Sequence, residues 1–311
     1  MKRVLFTALC LMLCFTLATP AEAGFIADKK AKIQQAKLEN SYKKEIQSLF
    51  AKQEQYSRKY DLASLQNLYS QNFIDNDGYP KDVYFSLVGE TWEAYPDITY
   101  TSKIKNIEIN GDYATVDTDE TAVATSDDIE KALLGELYSK SKCRYHLQRF
   151  SNKWEIISEE VLEEVSTLKY GDARYVDMHI EAPKIIGAGQ TYTSTLKVDL
   201  PPEYVVIASL NQEKIVNPAV KPEETFKRMG DDQTLARVFT ANTDNVNEYT
   251  VASVGITSAE PSGVDKIRVY MHGMAFVMFR INVVPKNNYA KVDKKEKSEN
   301  KDKVEIKEEE E

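Results

Sequence analysis

Ile98-Thr99-Tyr100-Thr101-Ser102-Lys103-Ile104-Lys105-Asn106-Ile107-Glu108-Ile109-Asn110-Gly111-Asp112-Tyr113-Ala114-Thr115-Val116-Asp117-Thr118 is where the chain changes period. Upstream, large apolar residues recur every three or four positions. Here they alternate, the spacing of a half-buried strand. Ile98, Tyr100, Ser102 and Ile104 share one side, and Ile107 and Ile109 lead into the turn Asn110-Gly111-Asp112. Ala114, Val116 and Thr118 begin a return strand that runs to about Val123.

Working back from this hairpin, Val83–Ala94 has helical spacing (Val83, Leu87, Trp92) and ends at Tyr95-Pro96-Asp97. Asp61 is a plausible cap for a shorter helix with Leu62, Leu65, Leu68 and Tyr69 on one face. Ile46, Leu49, Phe50, Tyr56 and Tyr60 form the apolar stripe of a long helix. Its beginning, Asp28–Glu45, carries six Lys against three acidic residues, which predicts a solvated, charged lead-in.

Working forward, Asp127–Tyr138 is expected as a short helix or helical loop, and Cys143–Phe150 with Trp154–Val161 as a second hairpin about Ser151-Asn152-Lys153. From about Tyr170 strands and turns alternate, the texture of a β-sandwich. Ile267–Val284 is too long for one simple strand, and Gly273 marks an expected bulge or hairpin within it. Lys286–Glu311 holds eight Lys and nine acidic residues and predicts a disordered tail.

At the other end, Lys2 and Arg3 precede the apolar run Val4–Ala18, and Ala21-Glu22-Ala23 places small residues before Gly24. That is the layout of a cleavable export signal, so a periplasmic or extracellular protein is expected. No later run predicts a membrane span. The expected organisation is a signal at 1–23, a lead-in helix at 24–45, an α+β domain at 46–165, a β-sandwich at 171–285 and a tail at 286–311. A net charge of −9 excludes a general basic surface for nucleic acid.

The order of elements in 46–161, with Leu65-Gln66-Asn67-Leu68-Tyr69-Ser70-Gln71-Asn72-Phe73, Asp77-Gly78 and Lys153-Trp154-Glu155-Ile156-Ile157, resembles the nuclear transport factor 2-like superfamily. The resemblance implies an α+β cone-like domain, long helices on a curved antiparallel sheet around a pocket. The strand pattern beyond it is similar to an immunoglobulin-like sandwich.

Chemistry is sparse in the pattern. His146, His179 and His272 are far apart, so no metal site is expected. After export Cys143 is the single thiol, and on a strand it and His146 point to opposite faces. Asp75-Asn76-Asp77-Gly78 reads as a turn whose carboxylates bond local backbone. Asp117 and Asp119 share a solvated face and Glu120 takes the other, with no second pocket carboxyl assigned. Tyr56, Tyr60, Tyr100 and Tyr145 are the candidate pocket phenols, suited to a small amphipathic ligand. No catalytic residue and no cofactor is expected. The leading expectation is a non-enzymatic binding or scaffolding protein of the cell envelope, with an envelope protein as partner. The alternative is an isomerase- or cyclase-type enzyme, or a ligand carrier, using the pocket.

Overall fold

A computed structural model describes residues 20–128, 133–201, 204–220, 223–262 and 267–286. Residues 1–19, which hold most of the expected signal, and residues 287–311, the expected tail, lie outside the described residues, as do residues 129–132 of the Asp127–Tyr138 segment. No helix among the described residues is long and apolar enough to cross a membrane.

The elements are helix α1 (Pro20–Arg58), helix α2 (Leu62–Gln66), strand β1 (Tyr69–Asp75), helix α3 (Lys81–Ala94), β2 (Thr99–Asn110), β3 (Tyr113–Asp128), β4 (Leu133–Phe150), β5 (Lys153–Gly171), β6 (Asp177–Glu181), β7 (Ile185–Gly187), β8 (Thr191–Asp199), β9 (Val205–Lys214), β10 (Lys227–Arg228), β11 (Thr234–Thr240), β12 (Glu248–Pro261) and β13 (Ile267–Val284).

The expected fold class, a long-helix cone domain followed by a separate immunoglobulin-like sandwich, is corrected by this architecture. Among the described residues 57% are in strands and 22% in helices, with three α-helices. Only α1 is long; α2 has five residues, and Tyr69 opens a strand instead of extending that helix. The Asp127–Tyr138 segment is not a helix where it is described, because Asp127 pairs with Leu134 and Ala124 with Leu137 across β3 and β4. One ten-stranded sheet, ordered β10-β9-β12-β13-β5-β4-β3-β2, runs through both halves, with β1 parallel to β5 and β7 parallel to β13. The joint is a shared edge. β5 and β13, 19 and 18 residues long, each keep their hairpin partner along one edge and pair with each other along the other, from Val165–Phe279 to Gly171–Gly273. Three strands, β11-β8-β6, form the second sheet.

Directly opposed residues lie on one face of a sheet. Ala124, Leu137, Leu168 and Phe276 form one such row, and Val123, Tyr138, Thr167 and Val277 the next. Ala124 and Leu137 belong to the core under the helices, while Val277 belongs to the core under the three-stranded sheet. The two cores therefore sit on opposite faces of one sheet, at its two ends.

Helix α1 packs through Ile46, Leu49 and Phe50, all buried. Its lead-in is exposed, Ile33 and Leu38 included, as its charge and scarcity of large apolar residues require. Helix α2 is capped by Asp61, whose carboxylate accepts from the Ser64 N–H at 3.0 Å. The β4–β5 hairpin turns at Ser151 and Asn152, both at positive φ (45° and 68°), the pair of angles a two-residue primed turn requires.

Candidate functional site

Between α1, α3 and the helix-side face of β2–β5 lies an open pocket of about 220 Å³. A water's share of liquid is about 30 Å³, so the space suits a few waters or one small ring compound. Apolar and aromatic side chains (Leu65, Val88, Trp92, Tyr100) line one part, and Glu120, Glu159, Tyr69, Tyr84 and Tyr145 another.

Glu120 arrives by simple alternation on β3: Ala114, Val116 and Thr118 precede it on the covered face. Asp117 and Asp119 point the other way, pairing with Arg144 (2.7 Å) and Lys105 (3.1 Å) on the solvated face. Glu159 arrives by irregularity. Trp154 and Ile156 face the core, and uninterrupted alternation would send Ser158 inward and Glu159 to water. A bulge at Ile157, where Leu147 pairs with Ile156 but His146 with Ser158, shifts the phase and turns Glu159 into the pocket wall.

The two carboxyls belong to one hydrogen-bonded set. Tyr145 donates to Glu120 Oε1 at 2.9 Å, joined there by Thr118 (2.9 Å) and Ser102 (3.3 Å). Tyr84 donates to Glu159 Oε2 at 2.7 Å, and Gln53 Nε2 donates to the Tyr69 hydroxyl at 2.8 Å. The Tyr145 hydroxyl also stands near enough to Glu159 to favour its anion, and the Tyr84 hydroxyl acts in the same way on Tyr69. A phenol has one proton. With Tyr145 donating to Glu120, a proton on Glu159 completes its other contact.

Electrostatics favour that assignment. Burial first, and repulsion from Glu120 second, push the Glu159 carboxyl up to about 8. Burial raises Glu120 as well, against the three hydroxyl donors that favour its anion. The Tyr69, Tyr84 and Tyr145 phenols are pushed up by burial and then by the acids, so they remain donors. Among the described residues the pocket lining contains Glu54, Glu120 and Glu159 and no Lys, Arg or His. An anion is disfavoured there.

Of the four phenols predicted from sequence, the structure brings Tyr100 and Tyr145 together in the pocket. The Tyr100 hydroxyl accepts from Trp92 Nε1 at 3.2 Å. Tyr60 stands behind Trp92, ring centroids 5.4 Å apart, and donates to the Ile98 carbonyl at 2.8 Å; Tyr56 packs on the core without lining the cavity. The sequence reading found no second pocket carboxyl, and the structure supplies two. Strand phase could have found Glu120; nothing in the alternation marks Glu159.

Cys143 is buried, its thiol pushed up by burial, while His146 meets Glu160 at 3.0 Å on the opposite face. In the Asp75–Gly78 turn, Asp75 Oδ1 accepts from the backbone of Asp77 (3.0 Å) and Tyr79 (2.8 Å). Among the described residues no group of three or more His, Cys, Asp or Glu is placed to hold a metal.

No family model and no curated protein matches the chain. Solved structures similar to part of it include a conserved protein from Planctomyces limnophilus (14% identity, 39% of this chain and 94% of that chain, TM-score 0.34). A hexachlorocyclohexane dehydrochlorinase, LinA-type3, from Novosphingobium barchaimii matches at 12% identity over 40% of this chain and 86% of its own, TM-score 0.35. An NTF2-like family protein from Streptomyces avermitilis matches at 11% identity over 39% of this chain and 95% of its own, TM-score 0.34. Proteins of the nuclear transport factor 2-like fold are thus among the structures similar to about 40% of the chain.

Proposed function

We propose that the pocket is an acid–base site acting on a small, uncharged, largely apolar molecule. The observation that carries this reading is the pair Glu120 and Glu159, enclosed without a cation in the lining and bridged by the Tyr145 phenol. Two carboxyls pushed to different protonation states by their surroundings divide the roles of base and acid. Glu120, whose anion three hydroxyl donors favour against its burial, takes a proton from substrate carbon. Glu159, neutral near pH 7, gives one to the oxygen or leaving group on which charge collects, and Tyr145 returns the proton from one acid to the other. The net reaction is an isomerisation or an elimination, with protons conserved. The apolar wall at Trp92 and Val88 orients the substrate and excludes water. The Met1–Ala23 leader supports a working place outside the cytoplasm, periplasmic or extracellular.

The test is hydrogen–deuterium exchange at acidic C–H positions in a panel of small neutral carbonyl and halogenated compounds, followed by NMR. Binding is read in parallel from Trp92 fluorescence. Exchange or turnover that Glu120→Gln and Glu159→Gln each abolish, while binding survives, is the expected result. Binding without exchange would make the protein a carrier, and no binding at all would overturn the pocket reading.

A further inference from the structure

The turn Asp75-Asn76-Asp77-Gly78 touches both ends of the molecule. On one side Asn76 brackets Glu159 on β5. Its N–H donates to the Glu159 carbonyl at 2.9 Å, and its side-chain Oδ1 accepts from the Val161 N–H at 3.2 Å. Asp75 pairs with Glu159 in the β1–β5 register. These bonds hold the strand where its phase has shifted and the acid turns inward.

On the other side the turn is gripped from β12 and β13. Arg280 donates to Asp77 from both terminal nitrogens, Nη1 at 3.0 Å and Nη2 at 2.5 Å, and Nη2 lies 3.4 Å from Asn76 Oδ1. The side chains are 1% and 9% exposed, so this is a two-pronged ion pair sealed from water. Asn247 Nδ2 adds bonds to Asp77 Oδ1 (2.8 Å) and to the Asn76 carbonyl (3.3 Å), and Asn282 reaches the Leu162 carbonyl at 2.9 Å. The Arg280 row is the sheet face that carries the pocket, since its neighbours Met278 and Phe276 pair with Ser166 and Leu168.

We propose that Arg280 is a positioning residue for Glu159: through Asp77 it fixes the turn whose Asn76 holds the strand backbone on either side of that acid. Strand β13 thereby sets the geometry and solvation of a group in the pocket of the first half. The proposal rests on the acid–base reading of the pocket for its functional meaning, but not for its measurement. It is more than packing, because a buried carboxylate that loses the cation paired with it must find water, and the water reaches the turn beside Glu159.

The groups facing Glu159 are Glu120 from β3, Tyr145 and Cys143 from β4, Tyr84 from α3, and Tyr69 and Asp75 from β1. Opening the turn hydrates the carboxyl, which favours its anion. It also removes the cation whose field favours the Asp75 anion, and so weakens the Asp75 repulsion on Glu159. Loss of the cation's own field and the bared Asp77 carboxylate act upward; burial is the largest cause of the raised value, so hydration of the carboxyl sets the net direction, downward.

The experiment uses the full chain with ¹³C-carboxyl glutamate, the Glu159 resonance being assigned by its loss in Glu159→Gln. Arg280→Met is expected to lower the Glu159 titration midpoint by about one pH unit or more, and Arg280→Lys by less. The double variant Arg280→Met/Asp77→Leu removes both charges together, which protects the fold if the single variant does not hold it; no bared carboxylate then draws water, but the turn still loses its grip on β13, so a smaller downward shift is expected. A raised wild-type midpoint that stays in place in the folded variants overturns the positioning role alone. A wild-type midpoint already in the ordinary carboxylate range overturns both this proposal and the acid–base reading.

Discussion

Replacing Glu159 by Gln should make the protein more stable at neutral and alkaline pH, although it removes a proposed catalytic group. The Gln amide has nearly the shape of a protonated carboxyl: its oxygen can accept from Tyr84 and its NH₂ can donate to the Tyr145 oxygen. What it lacks is the ability to ionise. Glu159 titrates near 8 in the folded chain against a reference value of 4.5. Below the reference value both folded and unfolded chains carry the proton, and the group has no effect on stability. Between 4.5 and 8 the unfolded chain ionises while the folded chain cannot, so stability falls as pH rises; above 8 the loss levels off. Each unit of separation is worth about 1.4 kcal/mol, so the cost grows from about 1 kcal/mol at pH 5 to about 3 at pH 7 and about 4 at pH 8. Urea denaturation of wild type and Glu159→Gln at pH 5, 6, 7 and 8 measures this directly. The difference between the two curves should widen with pH, with the variant the more stable. Parallel curves across that range would refute the claim that Glu159 is held neutral. Such a residue persists against its cost where function needs it.

Tyr145→Phe removes the phenol that bridges the two acids, and should cost about 1–3 kcal/mol in urea denaturation while raising the Glu120 midpoint in a carboxyl NMR titration. Gly171→Ala tests the junction of β5 and β13: at φ 57° and with the His272 carbonyl where a Cβ would lie, it should lose about 1–3 kcal/mol or more and raise hydrogen exchange along the β5–β13 ladder. Phe85→Ala, beside Tyr69 and Tyr84 and 1% exposed, should cost about 3–5 kcal/mol by thermal or urea unfolding; a smaller loss would mean that the pocket wall collapses to fill the space.

Much of the local structure is legible in the residues, because it depends on near neighbours. The change of period at Ile98, the step from Ile104 to Ile107, and the Asn110-Gly111 and Ser151-Asn152 turns all follow from spacing and backbone preference. So do the solvated face of Asp117 and Asp119 and the charged exposure of the α1 lead-in. Three features depended on tertiary structure. The first is the single sheet: a strand's alternation says which side is covered but not which partner it finds, and β5 and β13 are joined across about a hundred residues of chain. The second is Glu159, whose direction is set by a bulge visible only against the register of β4; read by alternation alone, it points to water. The third is the clasp of Arg280 on Asp77, 203 positions apart in the chain, where each residue alone reads as an ordinary surface charge. Periodicity is a property of a few consecutive residues, whereas the phase of a strand, the burial of a charge and the meeting of two acids are properties of the packed whole.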